Sequence, residues 1–78
     1  MDYPKLASII AAVLECDSST LSLNSGLSHH ELWDSLKHVE IMVTLEEKCN
    51  IEINENNIGK LITIEKILKY INEGIIDE

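Results

Sequence analysis

An all-α fold, a small bundle of three main helices and one short helix, is what this sequence predicts. Three observations carry the prediction. Apolar residues recur at helical spacing in three separate segments. Residues that start and stop helices stand at the ends of those segments, and 78 residues suffice for one domain and no more. The expected domain spans residues 1–78. A domain of this size hides only about 60% of the surface its unfolded chain exposes, so its margin of stability is thin. It has no room for a deep cleft between separate catalytic elements, which weighs against a self-sufficient enzyme.

Pro4 suits the first turn of a helix, and Asp2 just ahead favours a helix N-terminus. Leu6, Ile9, Ile10, Val13 and Leu14 then fall at i, i+3, i+4, i+7 and i+8, the stripe of an amphipathic helix. Asp17-Ser18-Ser19-Thr20 is expected to stop it, because these side chains compete for backbone hydrogen bonds. Residues 17–30 form a long connection whose Leu21, Leu23 and Leu27 are expected to pin it to the core, with Gly26 allowing a turn. Ser28 and Glu31 have capping-box spacing, so a helix either begins there or makes one short turn before the main helix starts near Asp34. The second is preferred.

From Ser35 to Cys49 nothing breaks a helix, and Cys49-Asn50 closes it. Ile51-Glu52-Ile53-Asn54 reads as a short extended stretch, and residues 55–60 as one or two helical turns anchored by Ile58 and Leu61. Thr63 is the expected N-cap of the last helix, with Glu65 in its first turn. Ile64, Ile67, Leu68, Ile71 and Ile75 form its apolar stripe, and Gly74 is expected to end it.

Composition narrows the function. Trp33, Tyr3 and Tyr70 are the only aromatics, so the core must be built from aliphatic side chains. Six lysines, no arginine and 14 carboxylates give a net charge of −8. Nucleic acid is excluded as a partner, since phosphate binding needs a basic face. Strong negative charge favours instead steered association with basic protein surfaces. No apolar run approaches the roughly 20 residues that span a bilayer. Met1-Asp2-Tyr3-Pro4 lacks the basic, then apolar, start of a signal peptide, so a cytoplasmic chain is expected; a monomer is expected as well. Cys16 and Cys49 read as two buried reduced thiols.

The second helix has two faces. At 100° per residue, His38, Ile41, Met42, Leu45 and Cys49 share an arc of roughly 100°, which should meet the core. Leu36, Val39 and Val43 occupy a different arc, interleaved with Glu40, Glu46 and Glu47. One core does not need both arcs. The second is either a docking surface, where apolar contact supplies affinity and carboxylates select a basic partner, or a solvated face with some apolar spill.

The run Asp34-Ser35-Leu36-Lys37-His38-Val39-Glu40-Ile41, continuing to Leu45-Glu46-Glu47, resembles the signature of the acyl carrier protein family. That signature is Asp-Ser-Leu followed by Val-Glu-Leu and Leu-Glu-Glu on one helix. Ile51-Glu52-Ile53, Lys60-Leu61-Ile62-Thr63-Ile64 and the closing helix continue the match in register, while the first helix agrees in character only. The resemblance implies an acyl-carrier-like bundle. It also implies that Ser35 receives a covalent 4′-phosphopantetheine from a phosphopantetheinyl transferase that uses coenzyme A and magnesium. The arm's thiol then carries an acyl or aminoacyl group as a thioester for loading and transferring enzymes with basic docking surfaces. On the same footing Asp34 and Leu36 flank the attachment site, and Leu36, Val39, Glu40, Val43, Glu46 and Glu47 form the partner-binding helix face. Fatty acid or polyketide biosynthesis is the implied setting.

Departures from the pattern resemble specialised carriers, such as polyketide, peptide-synthetase or D-alanyl carrier proteins. Trp33 stands where fatty-acid carriers usually have a small residue, Lys37 puts a positive charge beside the site, and Cys49 replaces a common phenylalanine. The loop just upstream is also one residue shorter. Trp33 either plugs the loop onto the bundle or shields the cargo. His38 is expected to be a hydrogen-bonded core histidine. No catalytic residue is expected, because Ser35 has no triad arrangement. No metal site is expected either, because His29, His30 and Glu31 are adjacent and diverge. The competing class is an unmodified carrier-like adaptor that binds proteins through its second helix, in which Ser35 is a plain N-cap.

Overall fold

The computed structural model describes residues 1–76, so the last two positions of the expected domain lie outside the described residues. Three α-helices make up the fold: α1 (Tyr3–Leu14), α2 (Ser35–Cys49) and α3 (Ile64–Glu73). A short 3₁₀ helix, Ser18–Thr20, follows α1. The all-α reading holds.

Local chemistry sets most helix ends. The Asp2 carboxylate accepts the Lys5 N–H at 3.0 Å, and Pro4 occupies the first turn of α1. Its stop is Glu15 rather than the expected run of residues 17–20: Glu15 adopts a left-handed backbone (φ 58°) and sends its N–H to the Ala11 carbonyl. Asp17 begins the 3₁₀ turn instead of ending α1. It accepts the Ser19 N–H at 2.9 Å, and that bond holds its carboxyl below the usual carboxylate range. Thr63 caps α3 by accepting the Lys66 N–H at 3.2 Å, and Gly74 ends it at φ 70°. Ile64 and Ile67 are buried and Leu68 and Ile71 half-buried, but Ile75 lies past the helix end and is exposed.

The core joins Leu6, Ala7, Ile10, Ala11 and Leu14 of α1 to Ile41, Met42 and Leu45 of α2 and to Leu61, Ile64 and Ile67 around the start of α3. Leu21 and Trp33 complete it, so one aromatic is buried among the aliphatic side chains that composition required. The two thiols, expected to be buried, are half-buried.

The long connection is tied across the head of α3. Leu21 is buried and Leu27 half-buried, whereas Leu23 is exposed, so two of the three leucines act as pins. Leu27 N–H donates to Ile62 O at 2.9 Å, Ile64 N–H to Ser25 O at 2.9 Å and Glu65 N–H to Leu23 O at 3.0 Å. Gly26 lies against Thr63 at the centre of this seam. A Cβ at residue 26 would collide with the Ile62 carbonyl oxygen, which is backbone and held in place. Gly26→Ala is therefore expected to cost about 3 kcal/mol and to lower the melting temperature by roughly 10 °C or more. Thermal unfolding followed by circular dichroism checks this; a melt that matches the parent would mean the two segments do not meet.

Residues 55–60 form successive turns that do not join into a helix. Ile58 N–H reaches Asn54 O at 3.0 Å and Leu61 N–H reaches Asn57 O at 3.1 Å, each a single helical turn. Asn54 and Asn57 start the first of these turns as a reciprocal cap: the Asn54 side chain accepts the Asn57 N–H at 3.2 Å, and the buried Asn57 side chain accepts the Asn54 N–H at 2.9 Å and donates to Glu52 O at 3.0 Å. Tyr70 of α3 adds its hydroxyl to Glu52 O at 2.9 Å, so the short segment 51–54 is fixed from both sides.

Candidate functional site

α2 begins at Ser35, and Asp34 is its N-cap. The Asp34 carboxylate accepts the Lys37 N–H at 2.9 Å, and the Asp34 carbonyl accepts the His38 N–H at 2.8 Å. Capping therefore falls to Asp34, and the plain N-cap reading of Ser35 is set aside. Ser35 is exposed at the first position of the helix. Its own N–H and that of Leu36 belong to the first turn, where no carbonyl within the helix can accept them. The preceding segment turns rather than forming a helix, with His29 N–H on Gly26 O at 2.9 Å and Trp33 N–H on His30 O at 3.1 Å. That is the preferred alternative of the two for residues 28–34.

Beneath Ser35 the helix is anchored by two rings. Trp33 is 1% exposed, and its Nε1–H donates to Nδ1 of His38 at 3.0 Å. An indole N–H can only donate, so Nδ1 accepts and the imidazole proton must reside on Nε2. Nε2–H then donates to the Ile58 carbonyl at 2.9 Å. Both nitrogens of a buried histidine are satisfied, as a core histidine requires. Trp33 is thus a plug, one that also couples the loop before Ser35 to the turns before α3.

The two arcs of α2 separate as their spacing predicts. His38, Ile41, Met42 and Leu45 are buried. Leu36 is 68% exposed, and Val39 and Val43 are each 48% exposed. Glu40 and Glu47 are exposed beside them. Glu46 differs. It is half-buried, and its carboxylate accepts the Ile53 N–H at 3.1 Å, so it ties α2 to segment 51–54. Lys37 also has a defined place: its ammonium lies 3.3 Å from Glu40 and 3.4 Å from the Val13 carbonyl at the end of α1. A cation at a helix C-terminus is favourable, and it turns that charge away from Ser35.

Among the described residues no cluster of three histidine, cysteine or carboxylate side chains could hold a metal ion. His30 serves the loop instead. Its Nδ1 accepts the Leu32 N–H at 3.2 Å, and its Nε2 lies 3.3 Å from the Thr20 hydroxyl. Among the same residues no helix is long and apolar enough to cross a membrane.

Ser35 thus stands exposed at the head of α2, beside an outer face of aliphatic residues and carboxylates. Residues 4–71 match the family described as phosphopantetheine attachment site. The chain is 39% identical over 64 residues to an acyl carrier protein of Chlamydia caviae, covering 82% of this chain and 83% of that one. It is 31% identical over 70 residues to an acyl carrier protein of Campylobacter jejuni subsp. doylei, covering 90% and 91%. An acyl carrier protein of Helicobacter pylori is 30% identical over 72 residues, covering 92% of each chain. This chain belongs to the phosphopantetheine-binding acyl carrier protein family. It is a carrier and not a catalyst, its prosthetic group is a covalent 4′-phosphopantetheine, and it works with a phosphopantetheinyl transferase and with acyl-handling enzymes.

The head of α2 fits that group. A phosphodiester on the exposed Ser35 hydroxyl would lie beside the first-turn N–H groups and the positive end of the helix dipole. The Asp34 carboxylate, occupied by the Lys37 N–H, keeps that turn ordered.

Proposed function

We propose that Ser35 is the attachment site, and that α2 presents the loaded arm to acyl- or aminoacyl-loading and transferring enzymes with basic docking surfaces. The observation that carries this reading is the division of labour at the helix head, where Asp34 caps and the Ser35 hydroxyl stands exposed. The bound group supplies a thiol that holds the cargo as a thioester. The protein's own residues do the rest. Asp34 orders the first turn, and Leu36 beside Ser35 gives the partner an apolar contact where the arm emerges. Val39 and Val43 extend that contact down the helix, flanked by Glu40 and Glu47. Glu46 takes part chiefly by holding segment 51–54 against α2. The chain acts as one domain over residues 1–78, a monomer of the cytoplasm.

Charge reversal on the docking face tests the reading. Glu40→Lys and Glu47→Lys are each expected to slow phosphopantetheinylation about two- to fivefold, roughly 0.5–1 kcal/mol, mostly through slower association. Raised salt should slow the parent reaction as well, since exposed charges are screened beyond about 10 Å at 0.1 M ionic strength. Glu46→Lys should in addition lower the melting temperature, because it removes the acceptor for Ile53 N–H. Stopped-flow or initial-rate measurements with a transferase decide, and rates indifferent to both charge and salt contradict a charge-guided docking face.

A further inference from the structure

The interior of the bundle nearest to Ser35 is closed by Trp33 and His38. Trp33 lies two residues before the attachment serine and points inward, 1% exposed. His38 lies one turn into α2 and is 5% exposed. The rings are 6.1 Å apart between centroids, and the Trp33–His38–Ile58 hydrogen bonds, 3.0 and 2.9 Å, run from the loop before α2 across to the turns before α3. Any chain folding back from Ser35 between α2 and the 54–61 segment must part this line. To do so it would break two hydrogen bonds, one buried and one part-buried, and leave four polar atoms without those partners, at a cost an alkyl chain cannot offset with bonds of its own. Among the described residues no cavity opens between the helices.

We propose that the Trp33–His38–Ile58 line seals the bundle and makes the cargo ride outside it, which fits this carrier to short or polar acyl or aminoacyl groups. The proposal rests on Ser35 as the attachment site. A long alkyl chain left in water keeps its apolar surface hydrated, a penalty that grows with length, whereas an acetyl, hydroxyacyl or aminoacyl group bears little of it. A sealed bundle therefore discriminates by cargo length without touching the cargo.

The test loads the full chain with acetyl, butyryl, octanoyl and dodecanoyl pantetheine from the corresponding coenzyme A thioesters and a transferase, with intact mass to verify loading. Three readouts follow: thioester cleavage by hydroxylamine, the Trp33 Nε1–H resonance, and the melting temperature. A carried group outside the bundle gains no shelter from nucleophiles, so cleavage rates should agree within about twofold across the series. The Trp33 resonance and the melting temperature should stay unchanged with chain length. Octanoyl or dodecanoyl thioesters cleaved about tenfold more slowly than acetyl, with a shifted Trp33 resonance, would overturn the proposal and leave the attachment site standing. Absence of any mass gain would overturn the attachment reading and the proposal with it. Trp33→Leu should open the seam and introduce length-dependent protection. Should that variant fail to fold, the wild-type series decides alone.

Discussion

Leu45→Ala is expected to unfold much of the protein, while Val43→Ala, two residues away on the same helix, leaves it folded. Leu45 is wholly buried among residues of the core, and removing its methyl groups leaves a cavity that costs about 2–5 kcal/mol. A domain this small holds only roughly 3–5 kcal/mol in reserve. Val43 is 48% exposed, and its truncation should change stability by no more than about 0.5 kcal/mol. Partner recognition should respond in the opposite sense. Val43→Ala should slow modification, since apolar anchors at an interface carry a disproportionate share of its energy. Circular dichroism melts paired with a modification assay check both halves. Equal melts for the two variants would place the Val43 arc in the core and remove the docking face.

Ser35→Ala is expected to abolish modification and leave the fold intact. The structure strengthens the second half of that expectation. A serine that caps a helix is worth about 1 kcal/mol, but here Asp34 supplies the cap through its 2.9 Å bond from Lys37 N–H. Alanine is favourable inside a helix, so the change at an exposed first-turn position should fall within about 0.5 kcal/mol of neutral. A melt unchanged from the parent, with modification lost, is the expected pair. Asp34→Ala should behave differently, losing stability by about 1 kcal/mol through the cap.

What could be read from the sequence was whatever short-range chemistry decides. Asp2 with Pro4, Thr63 and Gly74 mark helix ends through bonds to residues at most four positions away. The two arcs of α2 follow from helical geometry alone, and burial of Leu45 against exposure of Val43 agrees with them. Long-range pairings were out of reach. Glu46 reads as one more surface carboxylate until segment 51–54 folds back and brings Ile53 N–H to it. Gly26 reads as a permissive turn residue, whereas its lack of a Cβ is demanded by Ile62, far along the chain. Lys37 reads as a charge beside Ser35 until α1 packs close enough to offer the Val13 carbonyl. The extent of α1 to Leu14 follows its apolar stripe, but its stop reads as residues 17–20, whereas Glu15 makes it with a left-handed backbone that its residue type does not favour. Trp33 and His38 were legible separately, as a plug and as a core histidine. The line they form to Ile58 depends on turns over residues 55–60 that propensity would continue as helix.

The attachment site itself is tested most directly by locating the added group along the chain. Seven serines compete for it: Ser8, Ser18, Ser19, Ser22, Ser25, Ser28 and Ser35. Only Ser35 stands at the head of an α-helix with its cap supplied by a neighbour. The protein is incubated with coenzyme A, magnesium and a phosphopantetheinyl transferase, then fragmented in the mass spectrometer so that each serine is bracketed. The expected result is a gain of one phosphopantetheinyl mass, confined to fragments that contain Ser35. A gain on any fragment lacking Ser35, or no gain in the parent protein under conditions that modify another carrier, would contradict it.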